Sequence, residues 1–130
     1  MTEQEFKDRT RRLALAIVRL VEELPRTRTA DVLGKQLLRS GTSVGANYRA
    51  ACRGLSTADV LAKLGDVEEE ADESLYWMEL LVESGAVSAG RVTHEMKEMD
   101  EILRMTIASI KTLRLRLPQS KIQNPKSKME

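Results

Sequence analysis

Few side chains in this chain are of a type that does chemistry. It holds one histidine, His94, and one cysteine, Cys52. His94 opens the run His94-Glu95-Met96-Lys97-Glu98, which lacks the second histidine of a zinc-protease helix. At about 100° per residue, His94, Glu98 and Glu101 share a helix face opposite the apolar stripe, so a solvated surface is expected there. A di-iron bundle needs two Glu-x-x-His motifs, and one histidine cannot supply them. Cys52 falls at the edge of an apolar face and reads as a small packed residue. No glycine-rich loop follows a strand, so there is no nucleotide-binding fingerprint. The carboxylate row Glu68, Asp72, Glu79 and Glu83 has the oxygen chemistry for a hard cation such as Mg²⁺. Ion pairing with Arg39, Arg49 or Arg53 is the simpler use of that row. These residues yield no catalytic group, no metal site and no cofactor, and the chain reads as a non-enzyme.

The residues that exceed the needs of an ordinary soluble bundle lie between Leu37 and Gly54. On a helix, Lys35, Arg39, Thr42, Ala46, Arg49 and Arg53 share one narrow face. Leu33, Leu37, Gly41, Val44, Tyr48, Ala51 and Leu55 line the opposite one. The middle of this helix is made of small residues, among them Ser40, Gly41, Ser43 and Gly45, which let another backbone approach closely. We assign Ser40, Gly41, Ser43, Gly45 and Asn47 to helix packing, with Ser40, Ser43 and Asn47 hydrogen bonding between helices. The basic stripe has two readings. It can neutralise phosphates, which gives salt-dependent nucleic-acid affinity, or it can dock on an acidic helix of a neighbouring subunit. For the first, the candidates are Lys35, Arg39, Arg49 and Arg53, with Arg12 and Arg19 as a second set. Aromatic residues make up only 3% of the chain, which argues against base stacking and leaves the backbone and shape of the nucleic acid to be recognised.

Composition sets the elements that position these groups. A length of 130 residues fits one domain. Leu, Val, Ile, Ala and Met must build the core, which suits helix packing. A lone cysteine forms no intrachain disulfide. No apolar run reaches the roughly 18 residues of a membrane span, and the polar N-terminus is no secretory signal, so a cytoplasmic protein is expected. The net charge of +1 hides strong segregation. Residues 1–55 carry a balance of +5, residues 56–85 of −8 and residues 86–130 of +4.

Four long amphipathic helices follow from the 3.6-residue period. The first is expected over Thr2–Leu24, ended by Pro25. The second runs over Ala30–Arg53, capped by Thr29 and closed by Gly54 as a glycine C-cap. The third runs from Ser56 to about Ser84 on a core face of Val60, Leu64, Val67, Ala71, Leu75, Met78 and Val82. The fourth runs from Ser88 to Leu117 on Val92, Met96, Met99, Leu103, Ile110, Leu113 and Leu117. Tyr76, Trp77 and Leu80 project away from the third helix's core stripe, and with Glu68 and Asp72 they form a candidate subunit interface. The expected fold is all-α, an antiparallel up-down-up-down four-helix bundle over residues 1–117. A basic tail over residues 118–130 is expected to be disordered.

The segments Gln36-Leu37-Leu38-Arg39-Ser40, Ser43-Val44-Gly45-Ala46-Asn47-Tyr48, Ala58-Asp59 and Lys63-Leu64 follow a known pattern, which continues through Glu68 to Trp77. Over roughly residues 5–117 the chain resembles the bacterial four-helix-bundle family named for proteins encoded in intervening sequences of large-subunit ribosomal RNA genes. Many members look to carry a glutamate and a glycine after the asparagine, where Arg49 to Cys52 stand here, which marks a divergent subgroup. The resemblance implies a homopentameric ring without catalytic activity. A related branch looks like accessory proteins of diversity-generating retroelements, which contact reverse transcriptase and RNA. The implied partners are therefore further copies of the chain and structured RNA or a reverse-transcriptase-like protein. The alternative is a protein-binding scaffold whose arginines are all engaged in ion pairs.

Overall fold

The computed structural model describes residues 1–117. The expectation for the tail over residues 118–130 lies outside the described residues. Four helices follow one another: α1 (Glu3–Glu22), α2 (Arg28–Cys52), α3 (Thr57–Glu83) and α4 (Ala89–Arg114). Each begins at a hydroxyl that accepts a backbone N–H left without a partner inside the helix. Thr2 accepts from Glu5 and Glu5 reciprocates, a complete capping box. Thr27, rather than the expected Thr29, caps α2. Ser56 and Ser88 cap α3 and α4. Gly54 is not a left-handed cap: α2 ends on Arg53 at φ −100°, and among the described residues the only positive φ is at Gly85 (81°), where the chain turns into α4. Among the described residues no helix is long and apolar enough to cross a membrane.

The helices pack in sequence order, α1 on α2, α2 on α3 and α3 on α4, with α1 and α4 closing the ring along the thinnest seam. This is the antiparallel four-helix bundle. Its main core joins Leu13, Ile17 and Leu20 of α1 to Leu37 and Val44 of α2, Val67, Met78 and Leu81 of α3, and Met99 and Ile102 of α4. The small residues of α2 are turned to α1. A Cβ on Gly41 would lie 2.7 Å from Ile17 Cδ1, and one on Gly45 would lie 3.1 Å from Thr10 Oγ1. Gly34 sits against Leu24 in the same way, at 2.9 Å. Ser40 faces the other neighbour: it is fully buried and its Oγ accepts a hydrogen bond of 2.9 Å from Ser74 of α3.

The core faces of α3 and α4 are rotated slightly from the expected stripes. On α3, Ser74 and Leu81 are buried while Leu75 and Val82 are only half-buried. On α4 the buried set is Val92, Glu95, Met99, Ile102, Thr106 and Ile110, with Met96, Leu103, Leu113 and Leu117 half-buried. Thr106 satisfies its hydroxyl on the Ile102 carbonyl at 2.7 Å, so a polar residue fits a core position. Leu55, expected on the apolar face of α2, lies past the helix end and is 97% exposed.

The helices are not flush at one end. Arg9 sits level with Glu98 and Glu101, yet α1 starts six residues before Arg9 while α4 runs thirteen past Glu101. Likewise Ser40 is level with Ser74, but α3 starts seventeen residues before Ser74 while α2 runs only twelve past Ser40. The α3–α4 pair therefore projects beyond α1 and α2, by about 10 Å on the α4 side at 1.5 Å per residue.

The α1–α2 approach makes a testable prediction. Replacing a helical glycine by alanine gains about 1 kcal/mol of propensity, whereas overpacking a dense core costs about 1–3 kcal/mol. At Gly65, where an added Cβ meets nothing within 4 Å, Gly65→Ala should raise stability to urea. At Gly41 the same change should lower it, and Ile17→Val, which removes the clashing Cδ1, should restore part of the loss. Equal stabilisation at both glycines would contradict the close approach.

Candidate nucleic-acid interface

The basic stripe of α2 is on the surface: Lys35, Arg39, Thr42, Ala46, Arg49 and Arg53 are all exposed. Its arginines differ in what they meet. Arg39 reaches across to α3, donating from Nη1 to Glu70 at 3.1 Å and from Nη2 to Glu73. Glu73 also accepts the Trp77 indole N–H at 3.2 Å. The acids that pair with Arg39 are thus Glu70 and Glu73, not the row of Glu68, Asp72, Glu79 and Glu83. Among the described residues Lys35, Arg49, Arg53, Arg12 and Arg19 form no ion pair. The reason is register. Ten residues after Arg39, Arg49 lies level with the start of α3, whose first nine residues carry one acid, Asp59, and one base, Lys63. The dense carboxylates begin at Asp66.

Arg49 instead borders a groove between α1 and α2. The groove encloses about 650 Å³ and is lined by Gln4, Lys7, Asp8 and Arg11 from α1 and by Thr42 and Arg49 from α2. Ala14, Gly45 and Ala46 line it as well, so no bulky side chain fills the space that the close helix approach leaves. Its one carboxylate, Asp8, accepts a hydrogen bond of 3.0 Å from Gln4. Lys7 has a loose 3.8 Å contact with Glu3, and Arg11 has no ion pair among the described residues. Three cations thus face one acid in an open trough. Lys7 and Arg11 were not among the expected candidates. They are one helical turn apart, which a joint reading of α1 and α2 as adjacent helices would have brought together.

The other assigned residues sort differently. Ser43 donates to the Arg39 carbonyl within its own helix at 2.6 Å, and Asn47 makes no hydrogen bond among the described residues. The interhelical hydrogen bonding expected of both is therefore absent, and Ser40 alone of the three bonds another helix. On α3, Tyr76 is 52% exposed, whereas Trp77 lies half-buried against the core and Leu80 is half-buried. Trp77 meets Tyr76 edge-on, ring centroids 5.2 Å apart. A second groove, of about 530 Å³, runs along Glu69, Asp72, Glu73, Tyr76 and Glu79, with no cation in its lining. Glu68 is half-buried and Glu83 exposed beside it.

On the face of His94, Glu98 and Glu101, His94 and Glu101 are exposed while Glu98 is half-buried. Arg9 of α1 donates to Glu98 at 2.7 and 2.8 Å and to Glu101, and its Nη1 lies 3.3 Å from the Met105 sulfur. The Arg9 hydrogen bonds hold the Glu98 carboxyl below the usual carboxylate range, against its own desolvation, with the charges of Arg9, His94 and Arg12 adding to the effect. Cys52 is half-buried; desolvation, then a hydrogen bond to Glu3, raises its thiol pKa, which makes it a poor nucleophile. Among the described residues no cluster of His, Cys, Asp and Glu is arranged to hold a metal ion.

Two outcomes follow from these contacts. Glu98 has a lowered folded pKa, so its ion pair stabilises above the unfolded value near 4.3 and loses that effect as pH falls through the folded one. Arg9→Met should therefore cost about 1–2 kcal/mol at pH 7, and the gap from wild type should shrink by pH 3. A gap that is constant with pH would show that Arg9 acts through packing alone. Separately, Arg39→Ala should lower the urea midpoint, while Arg11→Ala and Arg49→Ala should leave it nearly unchanged. Equal losses for all three would mean that the groove arginines are structurally engaged.

The comparisons with known proteins agree with this architecture. The family model of the 23S rRNA-intervening sequence protein matches residues 2–108. The crystal structure of a protein of unknown function from the S23 ribosomal protein family of Bacteroides thetaiotaomicron superposes with a TM-score of 0.79 at 36% identity, covering 85% of this chain and 99% of that one. No curated protein matches the chain. With nearly the whole bundle matched in sequence and in backbone, the chain belongs to the 23S rRNA intervening sequence protein family.

Proposed function

We propose that the protein is a non-enzymatic, oligomeric bundle that binds structured RNA, or a protein–RNA partner of the reverse-transcriptase kind, through its α1–α2 basic face. The observation that carries this reading is the groove in which Lys7, Arg11 and Arg49 meet a single acid. Arg11 and Arg49, without ion pairs among the described residues, keep their charge for phosphate, and neutralising phosphates releases condensed counterions. Exposed Lys35, Arg53, Arg12 and Arg19 widen the same positive field. Arg39, bound to Glu70 and Glu73, is not central to it. The near absence of exposed aromatics directs recognition to the backbone and its shape.

The acidic α3 groove with exposed Tyr76 supports self-assembly. A patch rich in Asp72, Glu79 and Glu83 complements a basic patch on another copy, and two different patches meeting head to tail generate a closed ring. A pentamer is the ring that the family resemblance implies. Each copy then repeats the remaining basic surface, and repetition raises avidity for a polyanion. We place the protein in the cytoplasm on this reading.

The test is fluorescence anisotropy with a structured RNA across a salt series, using protein whose assembly is verified by sedimentation. Binding should weaken steeply with salt. Arg11→Ala combined with Arg49→Ala should reduce the log–log salt slope by about two, with Arg39→Ala changing it little. No binding at low salt by the assembled protein would favour the alternative, a scaffold for protein partners alone.

A further inference from the structure

The α1–α2 groove holds more than cations. Gln4, Lys7, Asp8 and Arg11 line it from α1. Residues four apart lie one above the other on a helix, so Gln4 and Asp8 form one row and Lys7 and Arg11 a second beside it. The cationic row, with Arg49 of α2, suits phosphate. The other row does not. Asp8 is exposed and, among the described residues, forms no ion pair with the cations around it. Its hydrogen-bond partner is Gln4, whose Nε2 donates to Oδ1 at 3.0 Å. An ionised carboxylate is acceptor-only, with about four lone-pair sites on its two oxygens, so most of its capacity is open. A carboxylate also repels phosphate, and a groove for phosphate alone gains nothing from one.

The uncharged polar groups of the groove are left as acceptors too. Thr42 donates its hydroxyl proton to carbonyls of its own helix, Leu38 at 2.7 Å or Arg39 at 3.2 Å. Buried Thr10 does the same toward Phe6 at 3.1 Å or Lys7 at 3.0 Å. Gln4 gives an amide N–H to Asp8 and keeps its carbonyl oxygen. The groove therefore sets acceptors that need a donor beside cations that need an anion. On a nucleic-acid backbone the phosphate supplies the anion and carries no proton at neutral pH. The ribose 2′-hydroxyl supplies the donor, and deoxyribose lacks it. In A-form RNA these hydroxyls line a wide, shallow minor groove, within reach of an exposed side chain.

Resting on the reading of this groove as a phosphate site, we propose that Asp8, held by Gln4, accepts a hydrogen bond from a ribose 2′-hydroxyl and so selects RNA over DNA. The carboxylate works in two directions. It attracts the hydroxyl, and opposite deoxyribose it sets a bare negative charge beside the phosphates. Three hairpins of one sequence separate these effects: RNA, RNA with 2′-fluoro riboses (A-form without the O–H), and DNA. In fluorescence anisotropy at about 50 mM salt, the assembled wild-type protein should bind RNA about tenfold more tightly than 2′-fluoro RNA, the scale of one hydrogen bond to a charged group. Asp8→Ala should bind these two alike and should bind the DNA hairpin more tightly than wild type does. Asp8→Asn, which keeps an acceptor oxygen without the charge, should retain part of the preference for the hydroxyl. Asp8 is exposed and hydrogen bonds only to Gln4, so both variants should fold, which far-UV circular dichroism checks, and the wild-type comparison needs no variant. Equal binding of RNA and 2′-fluoro RNA by wild type, or a preference that survives in Asp8→Ala, overturns the proposal and leaves the phosphate groove standing. Failure of all three hairpins to bind overturns the groove reading and this proposal together.

Discussion

The arrangement depends on how closely α1 approaches α2. Gly41 and Gly45 leave no side chain between the helices, so Ile17 and Thr10 rest almost on the α2 backbone. The helix carrying these glycines is held by burial, since three internal glycines each cost about 1 kcal/mol of propensity. Ile17 and Leu37, both fully buried, supply opposing terms of about 1.5–3 kcal/mol each. Gly45, which admits Thr10 on the inside, also lines the outer junction and helps to keep it shallow. Ala14, Gly45 and Ala46 line it together with Lys7, Arg11 and Arg49. A packing requirement of the core therefore creates the concave basic surface.

Electrostatics then sorts the arginines. The carboxylates of α3 are concentrated from Asp66 onward, and antiparallel pairing brings that stretch beside the first half of α2. Arg39 is captured there, while Arg49 and Arg53 pass the acid-poor start of α3. An exposed ion pair contributes little to stability, so the value of the Arg39 contact lies in register: together with the buried Ser40–Ser74 hydrogen bond it matches one turn of α2 to one turn of α3. A slip by one helical turn would break the Ser74–Ser40 hydrogen bond and leave each hydroxyl only a carbonyl of its own helix, Leu37 for Ser40 and Glu70 for Ser74, and a hydrogen bond of this kind contributes about 0.5–1.5 kcal/mol.

The four helices and their order were legible in the sequence because the apolar period persists over about twenty residues or more in each, and because Pro25, Gly85 and the cap residues Ser56 and Ser88 interrupt it. The close approach through Gly41 was legible as well, since no surface role calls for so many small residues in mid-helix. What escaped was anything set by helix rotation and stagger. A period of 3.6 identifies a stripe but not its centre, so Leu81 and Ile102 took the core positions given to Val82 and Leu103. Ser74, Thr106 and Glu95 are buried because neighbouring groups satisfy most of their polar atoms, which a hydropathy pattern does not register. The groove cations Lys7 and Arg11 escaped for the same reason: they gain meaning only once α1 is set beside Arg49.

Stagger also explains the contrast between the seams. Apolar side chains and glycines close α1 on α2, whereas the thin α1–α4 seam is bridged at two levels by arginines. Arg9 spans to Glu98 and Glu101 at one level, and Arg91 reaches Glu23 at 2.7 Å and Glu95 at 3.1 Å at the other. Long arginine side chains span a gap that short apolar ones cannot close, and their charged heads remain near water. The cost appears at Glu95, which is almost fully buried with one carboxylate oxygen satisfied by Arg91 and the other, Oε1, without a partner. A seam built this way is held by geometry-specific contacts more than by area. The basic groove sits away from this seam, at the α1–α2 junction.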